Sequence, residues 1–181
     1  MKTILKIDPK IHPKKIEELF HAPKIVRVTE FDEKSLDHFA EDMDEAQNTG
    51  QPVIPIVIDS YGGQAYALTG MLSIMDSCKI PIATICQSKA MSCGAILFAY
   101  GTEGYRFMDP YATLMIHDVA AMSFGKVEEL KSATKQCDLL NNLVYARMAK
   151  NIGKEEDYIL KLITQNKHAD LYLSAKEAKK H

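Results

Sequence analysis

Hydrophobic and polar residues alternate along this chain in blocks that predict helices and strands in turn. Between residues 34 and 47, apolar residues recur at helical spacing with polar residues between them, which predicts an amphipathic helix with one buried face. A largely β-branched apolar run at 53–58 is typical of a strand covered on both faces. A helical pattern at 65–76 and a second apolar run at 81–86 repeat the sequence of elements. This alternation favours a layered α/β domain.

The second half of the chain predicts two short strands and one long helix. The strands, at 105–108 and 112–116, are joined by a turn, and the second ends on His117. The longest helical pattern, at 125–150, carries an apolar stripe made of Leu130, Ala133, Cys137, Leu140, Val144 and Met148. At about 1.5 Å per residue this helix is roughly 40 Å long, more than such a domain needs across its core. We therefore expect it to project and to pack against another subunit.

The two ends of the chain carry weaker patterns. Residues 1–30 contain three prolines and mixed charge, and they predict an arm with one helical stretch near 16–21. A helix is predicted at 154–163, and a polar stretch then leads to Asp170 and to a last short helix from Ser174. Because 181 residues suffice for one substantial core and no repeat is present, we predict a single domain spanning 1–181.

Composition excludes several classes of function. The 22 basic and 24 acidic residues form no basic block, so nucleic acid is not a predicted partner. No apolar run has the length of a membrane span, and the first residues lack the apolar stretch of a signal peptide, so we expect a cytoplasmic protein. The four cysteines and six histidines show no ligand spacing, so neither a metal, a cofactor nor a disulfide is predicted.

Two glycine-containing joints, at 59–63 and 91–95, each follow a predicted buried strand, where α/β sheets place their active sites. In the second joint Ser92 begins a helix, and a serine there presents its hydroxyl beside free backbone N–H groups, as acyl transfer requires. The local sequence favours a simpler alternative, in which Ser92 only caps the helix. His117 adds weight to the catalytic interpretation, because the strand that it ends would hold its imidazole in a fixed direction as a general base.

The segments 86–95, 104–107 and 114–117 closely resemble the nucleophile helix and the histidine strand of the Clp protease proteolytic subunit. The separation of 25 residues between Ser92 and His117 (117 minus 92) is also similar to that family's. The segment 59–63 resembles the family's glycine turn, and 170–175 resembles the segment that bears its aspartate. The matches occur in the family's order across 53–175.

This resemblance implies a Clp protease/crotonase-like α/β fold, a spiral of ββα units with a long projecting handle helix at 125–150. It implies that Ser92 is the nucleophile, His117 the base and Asp170 the acid that orients the histidine. The backbone N–H groups of Gly63 and Cys93 would form the oxyanion hole. The implied protein is a serine endopeptidase that cleaves peptides or unfolded proteins, assembled in stacked homo-oligomeric rings, heptameric by family resemblance, with a Clp-type ATPase as partner.

Two local departures from the family's pattern lie next to the predicted site. Tyr61 stands where the family has proline, and Asp118 and Val119 stand where it has glutamine and proline, so a peptide preference does not transfer. Three alternatives remain open: a serine–lysine peptidase with Lys89 as base, an acyl-coenzyme A hydratase or isomerase of the crotonase type, and a non-catalytic subunit that fills a ring.

Overall fold

A six-stranded sheet, parallel except at one edge, organises the protein. The computed structural model describes residues 23–119 and 124–181. The strand order is β1-β2-β3-β5-β6, with β4 beside the first half of β3. The strands are β1 (Val26–Val28), β2 (Ile54–Ser60), β3 (Ile82–Met91), β4 (Arg106–Met108), β5 (Thr113–Ile116) and β6 (Leu171–Ser174).

Helices pack around this sheet, and the mixed α/β class predicted from the sequence is confirmed. The first predicted helix begins at an Asp32 cap, and its predicted apolar face is buried through Phe39, Met43 and Ala46. The short helix that follows Ser92 is buried along its whole length. The helices are α1 (Glu33–Asn48), α2 (Ala65–Ser77), α3 (Cys93–Ala99), α4 (Val127–Asn151), α5 (Tyr158–Gln165) and α6 (Ala175–Ala178).

Strand β3 determines which parts of the chain meet. One of its edges pairs along its length with β2, and the other pairs first with β4 and then with β5. Two short strands share this edge because β3 is ten residues long. Since β3 and β5 run parallel with Met91 opposite Met115, the residues that follow them emerge at the same edge of the sheet.

Helix α4 has 25 residues and is therefore about 38 Å long. Its carboxyl-terminal half is buried through Leu140, Val144 and Met148, which belong to the predicted stripe. Its amino-terminal half contains no buried residue, and Leu130 from the same stripe is exposed. The first half of α4 therefore extends beyond the core as the sequence predicted.

The structure changes the sequence prediction at three places. The predicted arm is wrong at Val26–Val28, which form β1 with Val26 and Val28 buried against β2, because alternating apolar residues cover one face of a strand. Strand β3 continues to Met91, past the apolar run, because pairing with β5 holds its polar end in the sheet. The segment after Asp170 is a strand. The helical stretch predicted at 16–21 lies outside the described residues.

Within those described ranges, none of the helices combines the length and the apolar character needed to cross a membrane.

Candidate active site

Ser92 lies at a strained turn between β3 and α3. Its φ is 53° and its ψ is −119°, a conformation that costs a non-glycine residue on the order of 1–3 kcal/mol and persists only when the surroundings impose it. Here its backbone N–H donates to the Met115 carbonyl at 2.7 Å, and the buried helix α3 follows at once. Although Ser92 occupies the cap position, its hydroxyl makes no capping hydrogen bond. The turn presents this hydroxyl to His117 instead.

His117 follows β5 directly, and its Nε2 lies 2.9 Å from Ser92 Oγ. This distance allows the serine hydroxyl to donate a hydrogen bond to Nε2 in the tautomer that carries its proton on Nδ1. The Tyr145 hydroxyl, on α4, donates a hydrogen bond to the His117 carbonyl and so holds the backbone of His117 in place. Burial raises the pKa of Tyr145, so this phenol remains a protonated donor. The structure therefore brings the predicted nucleophile and the predicted base together.

Asp170 is brought near His117 by the backbone but does not bond to it. Strands β5 and β6 are antiparallel with Ile116 opposite Leu171, so the next residues outward, His117 and Asp170, continue the same register. The Asp170 side chain is exposed, and its hydrogen bond comes from the Tyr172 hydroxyl at 3.4 Å. Within the described residues no hydrogen bond joins its carboxylate to the imidazole. The role of Asp170 remains a prediction.

The glycine turn after β2 lies close to Ser92 on one side, at Gly62, and to Phe31 on the other, at Gly63. Gly62 and Gly63 have φ values of 104° and 156°, and a Cβ built on Gly63 would lie 2.5 Å from the Phe31 carbonyl oxygen. Two contacts hold the turn: the Gly62 N–H donates to Ser60 Oγ at 3.0 Å, and Gln64 N–H donates to the Phe31 carbonyl at 2.7 Å. The turn is thus fixed from both sides.

The two amides predicted for the oxyanion hole, those of Gly63 and Cys93, donate no hydrogen bond within residues 23–119 and 124–181. Cys93 also contacts the turn through its thiol, which lies 3.3 Å from the Gly63 carbonyl oxygen. Burial raises the pKa of this thiol, which disfavours the thiolate that a cysteine nucleophile needs. Cys93 is therefore suited to act through its backbone rather than its sulfur.

Replacing Gly62 with alanine is expected to lower peptide hydrolysis by about 100-fold, because a displacement of about 1 Å at a reacting group costs that much. The added Cβ would lie 2.7 Å from Ser92 Cβ and 3.0 Å from the Met91 carbonyl oxygen, so the serine or the turn must move. The measurement is kcat/KM on a short fluorogenic peptide. Gly104→Ala is the matched control, since Gly104 also has a positive φ, 81°, but open space around it. Equal activity of the two variants would contradict the prediction.

Lys89, the base in the serine–lysine alternative, makes its contacts with Asp59 and Tyr61. Its Nζ lies 2.6 Å from Asp59 Oδ1 and 4.5 Å from the centre of the Tyr61 ring. The hydrogen bond to Asp59 raises the pKa of Lys89, so the amine holds its proton at neutral pH. A lysine base needs the opposite shift. The serine–lysine interpretation therefore loses support.

A polar network beside His117 was not predicted. Asp118 accepts hydrogen bonds from Asn141 on α4 and from His168 in the loop after α5. In the sequence Asp118 stood out only as a departure from the family's glutamine, and nothing marked Asn141 or His168. Their positions along the chain are too far apart for any spacing rule to connect them.

In the part of the chain that the structure describes, no three His, Cys, Asp or Glu side chains are grouped so as to hold a metal ion. The chemistry that the neighbouring serine and imidazole support, acyl transfer, uses side chains and backbone amides alone.

Comparisons with known proteins show sequence similarity to one family. The family model described as Clp protease matches residues 10–181. The chain is 33% identical over 138 residues to ATP-dependent Clp protease proteolytic subunit 1 of Bifidobacterium longum, covering 76% of this chain and 57% of that protein. It is 32% identical over 128 residues to ATP-dependent Clp protease proteolytic subunit 2 of Frankia casuarinae, covering 71% of this chain and 57% of that protein. The chain thus spans somewhat more than half the length of these curated relatives.

Proposed function

Since the chain belongs to the Clp protease family, we propose that it is a serine endopeptidase acting through Ser92, His117 and Asp170. The observation that carries the proposal is the 2.9 Å separation between His117 Nε2 and Ser92 Oγ. The strained backbone of Ser92 supports it, because such conformations cluster at functional sites. Within the described residues its hydroxyl makes no capping hydrogen bond, which weakens the alternative in which Ser92 only caps the helix.

The reaction follows from these positions. Ser92 Oγ attacks the carbonyl carbon of the peptide bond while its proton passes to His117 Nε2. The carbonyl oxygen becomes an oxyanion, and the Gly63 and Cys93 N–H groups supply donors for it. The imidazolium then gives its proton to the leaving amine, which departs and leaves an acyl group on Ser92. Water, deprotonated by His117, attacks this ester; the bond to Ser92 Oγ breaks, the imidazolium returns its proton to that oxygen, and the carboxylic acid product leaves.

Asp170 is proposed to orient the imidazole. An acid in this role accepts a hydrogen bond from Nδ1 of the histidine, which leaves Nε2 free to accept the serine proton. The register of β5 and β6 supports the assignment, because it brings Asp170 alongside His117. The exposed carboxylate accepts a hydrogen bond from the Tyr172 hydroxyl at 3.4 Å, and it has to turn toward the ring to perform this role.

A fluorophosphonate probe tests the proposed function directly, since it reacts with an activated serine and stays attached. The protein should be labelled, and peptide mapping by mass spectrometry should place the adduct on Ser92. Boiled protein, in which His117 no longer activates the serine, is the control. Absence of labelling in the native protein, or labelling at another residue, would overturn the proposal.

Assembly is the second part of the proposal: stacked homo-oligomeric rings, heptameric by family resemblance, that enclose the serines in a chamber in the cytoplasm. The exposed apolar residues of α4 support an intersubunit contact, because apolar patches of this kind mark interfaces: Val127 and Leu139 lie in its amino-terminal half, and Leu143 lies one turn beyond. A Clp-type ATPase would supply unfolded protein to the chamber.

Sedimentation velocity is expected to show an oligomer that cleaves a short fluorogenic peptide and spares a stably folded protein. The physical reason is that only short or unfolded chains enter a closed chamber. Leu139→Glu, which places a charge on the exposed apolar surface of α4, should dissociate the oligomer, whereas Lys34→Glu, at an exposed position on α1, should not. A fully active monomer would refute the chamber while leaving the proposed triad standing.

A further inference from the structure

The segment that follows His117 is held by one face of α4. Asn141 and Tyr145 are four residues apart on this helix and so share a face. Tyr145 donates to the His117 carbonyl, as described above. Asn141 Nδ2 donates to Asp118 Oδ1 at 2.9 Å, and Asn141 Oδ1 accepts from the Val119 N–H at 3.0 Å. Both ends of the Asn141 amide are therefore used on this one segment.

Asp118 extends this connection to the loop between α5 and β6. Its second oxygen, Oδ2, accepts a hydrogen bond from His168 Nδ1 at 2.7 Å. Burial acts to raise the pKa of Asp118, but the hydrogen bonds from Asn141 and His168 outweigh it and leave the pKa below its usual value. The carboxylate thus stays ionised at neutral pH and accepts from both partners at once.

The loop that carries His168 has a closely defined conformation. Lys167 and His168 both have positive φ, 57° and 59°, which neighbouring contacts must hold in place. Asn166 Nδ2 donates to the carbonyl oxygens of Ala169 at 3.0 Å and Asp170 at 3.2 Å. These hydrogen bonds hold the backbone between Asn166 and Asp170 together. A displacement of His168 therefore also moves Asp170, two residues later.

We propose that His168 is a positioning residue, whose hydrogen bond to Asp118 sets the distance between the Asp170 loop and His117. The inference rests on the proposed function, in which Asp170 orients the imidazole. Asp118 is covalently next to His117, and His168 is two residues from Asp170, so their bond connects the two backbones directly beyond the last strand pair, Ile116 with Leu171. Without this hydrogen bond, the position of Asp170 relative to His117 would depend on the pairing of β5 with β6.

The charges around this bond favour the same arrangement. Asp118, Asp138 and His168 line one cavity of about 360 Å³, together with Val119, Cys137 and Asn141. His168 is the one basic side chain in that lining, so it is the available partner for Asp118 among the residues described there. The His168 side chain is 59% exposed, and a polar contact this exposed contributes little to the free energy of unfolding. Removing the contact between His168 and Asp118 should therefore change peptide hydrolysis far more than the free energy of unfolding.

The test is a double-mutant cycle between His168 and Asp170, measured as kcat and KM on a short fluorogenic peptide. His168→Ala is expected to lower kcat by about 10- to 100-fold with KM little changed. His168→Asn should recover most of the activity, because its amide supplies a donor near the position of Nδ1. On an Asp170→Asn background, His168→Ala should cost less than about threefold, because the residue through which it acts is already impaired.

Lys167→Ala is the matched control, since Lys167 shares the positive φ but makes no side-chain hydrogen bond or ion pair within the described residues, and it should retain wild-type activity. An equal loss from His168→Ala on both backgrounds, no loss on either, or failure of His168→Asn to recover activity would overturn the inference. If Asp170→Asn is impaired and His168→Ala is not, the inference alone fails. If Asp170→Asn is as active as the wild type, the proposed triad fails with it.

Discussion

Replacing Ser92 with alanine is expected to lower kcat/KM for a short peptide by about 10⁴-fold or more while leaving the fold intact. The hydroxyl is the proposed nucleophile, and it lies within hydrogen-bond distance of His117 Nε2. The backbone of the turn is held by the Met115 carbonyl and the buried helix α3, neither of which needs the hydroxyl. The measurement combines peptide hydrolysis, fluorophosphonate labelling and the midpoint of thermal unfolding.

Ser88→Ala is the matched control, because Ser88 is an exposed serine on the same strand, β3. It should hydrolyse the peptide as the wild type does. Activity of Ser92→Ala within about tenfold of the wild type would refute the assignment. The thiol of Cys93 would then be the next nucleophile to test, through Cys93→Ala, although burial raises its pKa.

Replacing His117 with alanine is expected to cost about as much as losing Ser92, since a serine without a base is a poor nucleophile near neutral pH. The two residues act as one unit, so the double variant Ser92→Ala with His117→Ala should be no slower than either single variant. Fluorophosphonate labelling of Ser92 should also be lost in His117→Ala, because labelling depends on the same proton transfer. Peptide kinetics and labelling rates provide the measurement.

The pH profile supplies an independent check on the histidine. A general base must be unprotonated, so wild-type activity should fall as the pH is lowered and the histidine takes up a proton. His38→Ala, which removes an exposed histidine on α1, should leave both the rate and the profile unchanged. A rate that stays flat down to about pH 5 would show that no histidine base is used.

Much of the fold was readable from the spacing of apolar residues. The helix predicted at 34–47 is Glu33–Asn48, and the strand predicted at 53–58 is Ile54–Ser60. Both patterns are strong because one face or both faces of these elements are buried, and burial selects apolar residues at the period of the element. The short strand Val26–Val28 was missed because three residues provide too little pattern, and its place in the sheet comes from pairing with β2.

The candidate site was only partly readable in the same way. Ser92 was singled out at a strand-to-helix joint and His117 at a strand end, and the family motifs then implied their roles. The structure places their side chains in contact, although their catalytic roles remain predictions. No local pattern marks the arrangement that joins them, which depends on the parallel register of β3 and β5. Asp170 was predicted with them, yet its side chain does not reach His117 in this structure.

By itself, the sequence determined the order of the elements, the α/β class, the family and the residue types able to perform acyl transfer. Tertiary structure decided which polar groups meet. Asp118, Asn141 and His168 lie in separate elements, and their hydrogen bonds exist only because α4 and the loop after α5 pack beside the end of β5. Apolar burial leaves a periodic trace in the chain, whereas a hydrogen bond between distant residues depends on one distance and one direction, which only the folded backbone defines.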